Sequence, residues 1–211
     1  LGTDRLRSII RSIREKIITL GGEIRFREKL TDIVIRDANL AGVLTTNSEI
    51  ETKTLILATG HSARDVYSLL STHGIALEPK GFAVGIRVEH PAQLINGIQY
   101  GLSRYMDVLP AAEYRLTHKC GSGRGVYSFC MCPGGRIINS SSEQGLLCTN
   151  GMSFSGRDLA SSNAAIVVSI HPEDTGNTTF GGIEFQRMLE TSAFNAGGGG
   201  FIAPAQKVGS F

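Results

Sequence analysis

Leu55-Ile-Leu-Ala-Thr-Gly60, continued by His61-Ser-Ala-Arg-Asp65, is the stretch on which the fold turns. Leu55 to Ala58 are apolar without alternation, which predicts a strand over Thr54–Ala58 covered on both faces. Thr59 and Gly60 follow at its carboxyl end, where backbone can approach a ligand with no side chain in the way. Open sheets that contain parallel strands bind ligands at those ends. A core strand running into a turn fits the same residues. What surrounds the phrase has to choose.

On the carboxyl side, residues 63–73 read as a short helix with Val66, Leu69 and Leu70 inward and Gly74 just past its end. On the amino side lies a series of short strands. Ile24 to Phe26 alternates, and Leu30 to Ile35 carries Ile33 and Ile35. A turn follows at Asp37–Gly42, Val43–Thr46 returns, and Asn47–Ser48 turns again before Ile50. The pattern is that of an antiparallel meander. Before it, Leu6, Ile9, Ile10, Ile13, Ile17 and Leu20 recur at steps of three and four and predict an amphipathic helix over 4–20. Thr3 or Asp4 is placed to cap it, and Gly21 suits its C-terminal stop.

From Gly81 the texture changes to alternating strands. Phe82 to Val88 ends at His90-Pro91, and further strands are expected at 114–117, 126–131, 136–138, 146–148 and 164–170, the last stopped by His171-Pro172. Ile183 to Phe194 reads as a helix with Phe185, Met188 and Leu189 on one side, followed by the four glycines Gly197 to Gly200, a link or a close-approach loop. The fold class expected is α+β. A mixed sheet with an antiparallel meander occupies residues 1–80, joined to a mostly antiparallel sheet domain with flanking helices over 81–211. The chain starts in a helix signal and ends in an apolar phrase, as an excised piece of something longer does.

Composition narrows the class of function. With 41% hydrophobic and 19% charged residues the chain is globular. A net charge of +2 gives no long-range attraction to nucleic acid or membrane. Arg5, Arg7, Arg11, Arg14 and Lys16 lie off the apolar stripe of the first helix, without the interleaved aromatics that single-strand binders use. No apolar run approaches the ~18 residues of a spanning helix, and no leader precedes the fold, so the expected compartment is the cytoplasm.

Motifs exclude as much as they suggest. No Gly-x-Gly-x-x-Gly joins a strand to a helix; Gly121-Ser-Gly-Arg-Gly125 comes nearest and leads into a strand. No Gly-x-Ser-x-Gly elbow occurs. Five scattered histidines make no His-x-x-x-His pair, and the spacings of Cys120, Cys130, Cys132 and Cys148 match no zinc site, so no metal is expected. The cysteines read as reduced, mostly buried thiols, with a redox or flavin-adjacent role as the alternative. His90 and His171 are expected to make structural hydrogen bonds at strand ends, and Arg87 and Glu89 share a strand face on which they could pair.

Taken together the phrases resemble a known family. Leu55 to Asp65 is similar to the Ala-Thr-Gly segment of flavoproteins with two dinucleotide-binding domains. Gly2-Thr-Asp-Arg-Leu6, Phe82-Ala-Val-Gly-Ile-Arg-Val-Glu-His-Pro91, Gly125-Val-Tyr-Ser-Phe-Cys-Met-Cys-Pro-Gly-Gly135, Thr149-Asn-Gly-Met152, Gly182-Ile-Glu-Phe-Gln-Arg187 and Ala203-Pro-Ala-Gln206 resemble a bacterial family of FAD-dependent, NAD-utilising dehydrogenases. The resemblance covers essentially the whole chain. It implies an oxidoreductase that moves a hydride between a small-molecule substrate and FAD, with NAD(P) as a possible donor or acceptor.

In such proteins an amino-terminal strand–glycine loop–helix holds the FAD pyrophosphate, and a carboxyl-terminal segment closes over the flavin. Neither pattern occurs here, so the resemblance implies a middle fragment, inactive alone, whose partners are the missing N- and C-terminal parts. Residues 1–80 would be a partial FAD-binding domain and 81–211 the substrate domain. Ala58, Thr59 and Gly60 would line the adenosine side of FAD, and Leu30 would meet adenine through its backbone. Cys130, Cys132 and Tyr127 become candidates for facing the flavin, and no catalytic residue is assigned. A reading from another class stays open, a non-catalytic ligand-binding or scaffold module that retains flavoprotein-like strands.

Overall fold

The computed structural model describes residues 2–101 and 108–210. They form two compact units, one made of Leu1–Ser8 with Glu78–Phe211 and the other of Ile9–Leu77. The class is α+β, as the sequence predicts, and every strand pairing among the described residues is antiparallel.

The smaller unit carries most of helix α1 (Thr3–Thr19), the strands β1 (Leu30–Arg36), β2 (Asn39–Thr45) and β3 (Glu49–Glu51), and helix α2 (Arg64–Thr72). The expected meander is present, in the order β1-β2-β3. Its first turn is tighter than the Asp37–Gly42 loop predicted. Asp37 and Ala38, at φ of 50° and 59°, make the whole connection, because a two-residue turn with both φ positive follows the twist of its strands. Ile33 and Val43, cross-strand partners, are buried and centre the sheet. His73 Nε2 lies 2.5 Å from Asp32 Oδ1 and holds that carboxyl below the usual range, and Lys29 pairs with Asp65.

Two expectations fail in this unit. The segment Ile24–Phe26 forms no strand, and neither does Thr54–Ala58. Instead of being covered on both faces, Ile56 is 85% exposed and Leu57 is exposed. The reason is that a strand exists by pairing, and among the described residues no neighbour offers Leu55–Ala58 a ladder. The stripe of α1 is similarly uncovered, with Ile10, Ile13 and Ile17 exposed.

The larger unit is built on a four-stranded sheet of order β4-β9-β6-β5, with β4 (Phe82–Pro91), β5 (Thr117–Lys119), β6 (Gly125–Cys132) and β9 (Ser161–Ile170). β9 is central, pairing with β4 in unbroken register from Phe82↔Ile170 to Pro91↔Ser161. The hairpin of β7 (Gly135–Asn139) and β8 (Thr149–Ser153) packs against the sheet. Expected strands at 114–117 and 146–148 are displaced to Thr117–Lys119 and Thr149–Ser153. Helix α3 (Ala92–Tyr100) follows β4 directly, with Pro91 as its N-cap residue, where the sequence predicts no helix. Helix α4 (Gly181–Ala196) packs Phe185 edge-on against Phe82 at 6.2 Å between ring centroids, while Met188 and Leu189 are exposed.

The amino end of α1 belongs to this unit. Thr3 Oγ1 donates to Ser153 O at 3.1 Å, and Asp4 accepts from Ser155 N at 2.8 Å and Ser155 Oγ at 2.7 Å. These two residues therefore tie the helix to the end of β8 rather than capping it. No helix among the described residues is long and apolar enough to cross a membrane.

Candidate functional site

The phrase Cys130-Met-Cys-Pro-Gly-Gly135 interrupts the pairing of β6 with β9. The register is regular from Val126↔Val168 to Phe129↔Ala165, then slips to Cys132↔Asn163. Cys130 sits in this bulge at φ 48°, a left-handed conformation that costs a non-glycine residue about 1–2 kcal/mol. Bulges re-aim side chains and gather next to functional sites. Strained residues persist only where their surroundings over-determine them.

Those surroundings are polar and partly buried. Asn163 is fully buried on β9, between its partners Glu89 on β4 and Cys132 on β6, so the three side chains share one face. Arg87, two residues before Glu89, lies on the same face. It does not pair with Glu89, whose Oε2 accepts from Ile137 N at 3.2 Å. Its Nη1 donates to Asn163 Oδ1 at 2.5 Å and to Cys130 O at 3.3 Å, and its Nη2 to Asn150 Oδ1 at 3.2 Å. All three acceptors are neutral, and among the described residues Arg87 has no carboxylate partner. A half-buried guanidinium with its charge uncompensated favours an anion beside it.

That neighbour is a thiol. Burial pushes the Cys132 thiol up from its ordinary value, and Cys130 beside it adds to the rise; Arg87 opposes both. Cys132 Sγ also lies 3.5 Å from Cys130 O. Gly151 on β8 is what lets the hairpin close over the group. A Cβ there would overlap Arg87 Nη1, Asn163 Oδ1 and Cys132 Sγ, so no other residue fits without displacing the cluster. Asn163 Nδ2 has no hydrogen-bond partner among the described residues, an orphan inside an otherwise satisfied network.

Of the flavin-facing candidates, Cys130 and Cys132 are together in this cluster, and all four cysteines are free thiols. Only Cys132 is buried and Cys130 is exposed, which corrects the expectation of mostly buried thiols. Tyr127 lies elsewhere, in a shallow pocket with Thr117, His118 and Lys119. His90 makes the expected structural bond, Nε2 to Tyr114 Oη at 2.9 Å, and His171 N donates to Asp174 Oδ2 at 2.8 Å. Sequence reasoning missed Arg87, Asn150, Gly151 and Asn163 as a group. One signal was present, an asparagine immediately before the apolar run of Ala164–Val168, where a buried strand has no reason to start on an amide.

The residues expected at FAD lie in the smaller unit. Leu30 opens β1, half-buried and opposite Thr45. Ala58, Thr59 and Gly60 lie exposed between β3 and α2. Gly60 has φ 77° and no atom within 4 Å of where its Cβ would be. Backbone groups of 55–60 are unengaged among the described residues and Thr59 adds a hydroxyl, so the segment has polar groups free to meet a ligand. It does not make a phosphate cradle.

Comparison with known proteins bears on the larger unit. Residues 81–211 match the family described as FAD-dependent protein, C-terminal domain-like. A protein of Clostridium beijerinckii, whose description is only "Uncharacterized protein", is 46% identical over 213 aligned residues, covering 100% of this chain. The chain spans 40% of that relative's length.

Proposed function

The chain belongs to the family of FAD-dependent proteins, whose C-terminal domain-like region it carries, and we propose that it is part of an oxidoreductase that moves a hydride between a small-molecule substrate and flavin. The observation that carries this reading is the family match over residues 81–211, the region that holds the Arg87–Asn163–cysteine cluster. NAD(P) is the proposed donor or acceptor. Bound flavin supplies the hydride chemistry, and the protein's part is to bind, orient and exclude water.

Within that division of labour, residues 1–80 contribute an edge of the FAD-binding domain and 81–211 the substrate domain. Leu30, Ala58, Thr59 and Gly60 meet the adenosine side through backbone groups, a role that constrains their side-chain types only lightly. Leu55–Ala58 and the stripe of α1 are covered by the remaining parts of a longer protein. Support comes from the exposed apolar residues Ile10, Ile13, Ile17 and Ile56 and from the 40% share of the relative's length. Arg87 steadies negative charge in the substrate domain, as its uncompensated guanidinium is suited to do.

The test is the full-length protein under anaerobic conditions. It is expected to be yellow, with flavin absorbance near ~450 nm that bleaches on addition of a reduced nicotinamide, since the flavin is the electron carrier. A colourless protein that cannot be reconstituted with FAD overturns the reading. A yellow protein that no nicotinamide or organic hydride donor bleaches overturns the hydride transfer.

A further inference from the structure

We infer that Cys130 and Cys132 are a redox-active dithiol, an exposed thiol backed by a buried one, that closes reversibly to a disulfide by exchange with a small-molecule disulfide. The exchange needs no flavin and stands apart from the hydride-transfer reading.

Three observations converge on it. The first is reach. Residues two apart in a regular strand are separated by about 6.6 Å, near the upper limit for a disulfide, with both side chains on one face. The bulge at Cys130 breaks that regularity, and Cys132 Sγ already sits 3.5 Å from the Cys130 carbonyl. The second is the division of exposure, with Cys130 exposed and Cys132 buried. An incoming disulfide meets Cys130 first, and the mixed disulfide then faces Cys132 from within. The third is the polar lining. Among the described residues Arg87, beside the pair, has no carboxylate partner, and Asn163 Nδ2, fully buried opposite Cys132, has no acceptor. Both are donors suited to a thiolate.

The chemistry balances without a further reagent. The Cys130 thiolate attacks the small disulfide R–S–S–R, forming the Cys130–S–S–R bond and releasing R–S⁻. The Cys132 thiolate attacks Cys130 Sγ, forming the intramolecular disulfide and releasing a second R–S⁻. The two cysteine protons end on the two leaving thiolates. The dithiol is oxidised and the small disulfide reduced by two electrons. Arg87 beside Cys132 favours its thiolate for the second step, offsetting part of the burial that disfavours it.

The experiment equilibrates the full-length protein in oxidised and reduced glutathione, blocks thiols with iodoacetamide and maps the peptides by mass spectrometry. The expected result is one peptide holding Cys130 and Cys132 unalkylated and lighter by two hydrogens, while Cys120 and Cys148 are alkylated. Adding a dithiol reductant should restore alkylation at both. Cys132→Ser is expected to trap glutathione on Cys130, because the resolving thiol is gone; should that variant not fold, the wild-type peptide decides alone. Alkylation of both cysteines in fully oxidised glutathione overturns the proposal. So does separate glutathione on each, or a disulfide between two molecules.

Discussion

Ala164–Val168 and Leu55–Ala58 are runs of the same apolar character with opposite fates. Ala164–Val168 is the middle of β9, flanked on both sides by β4 and β6, with Ala164 fully buried. Leu55–Ala58 makes no strand, and Ile56 is 85% exposed. Their difference teaches that an apolar run specifies a preference for burial, while a strand needs a neighbour to pair with. β9 finds both neighbours in its own unit. Leu55–Ala58 finds none among the described residues, and the account assigns its cover to the rest of a longer protein.

The largest expected effect tests that difference head-on. Ala164→Asp should destabilise the chain by on the order of 4 kcal/mol or more, because it buries a charge in the centre of a sheet. Ile56→Asp should change stability by no more than about 0.5 kcal/mol in the 211-residue chain, as exposed substitutions do. Urea midpoints decide between them, and equal sensitivity at the two positions breaks the comparison. In the full-length protein Ile56→Asp is expected to become destabilising.

The next effect sharpens the account of the larger unit. Gly151→Ala should cost about 2 kcal/mol, since its methyl must displace Arg87, Asn163 or Cys132. The same change at Gly60 meets no atom and should cost only about 1 kcal/mol, from its φ of 77°. A Gly151 variant as stable as wild type shows that the hairpin is not seated on the cluster.

The smallest effect is read in acid. Arg124 grips Asp174 with both nitrogens, at 2.5 and 2.7 Å, and His171 N adds a third bond, so that carboxyl is held far below its ordinary value of 3.8. A depressed carboxyl contributes stability above its unfolded pKa and loses it as pH falls towards the folded one. Wild-type stability should therefore decline as pH drops below about 4, and Asp174→Asn, less stable than wild type at neutral pH, should show a flatter acid slope. Parallel slopes in the two proteins remove this pair from the acid response.

Much of the fold was legible because it is local. The period of α1, the meander order and the extended run of β4 are written in neighbouring residues, although the burial of β4 does not follow its alternation, with Ile86 58% exposed. What escaped depends on distant partners. The chain around Leu55 carries a strand's composition but not its neighbours, so the sequence overstates it. Asn163, Arg87 and Gly151 come from three separate strands, and only register brings them to Cys132. The phrase Cys-Met-Cys-Pro-Gly-Gly was distinctive in sequence, whereas the left-handed Cys130 that gives it a physical meaning appears only in the bulge.

The central claim is that this chain holds one edge of an FAD site and the rest lies in further sequence. Titration of FAD into the full-length protein and into the 211-residue chain, followed by absorbance near ~450 nm and by stoichiometry, tests it most directly. The account predicts one FAD per full-length molecule and no stoichiometric binding by the 211 residues. Tight one-to-one binding by the 211 residues, or a full-length protein that takes up no FAD, contradicts it.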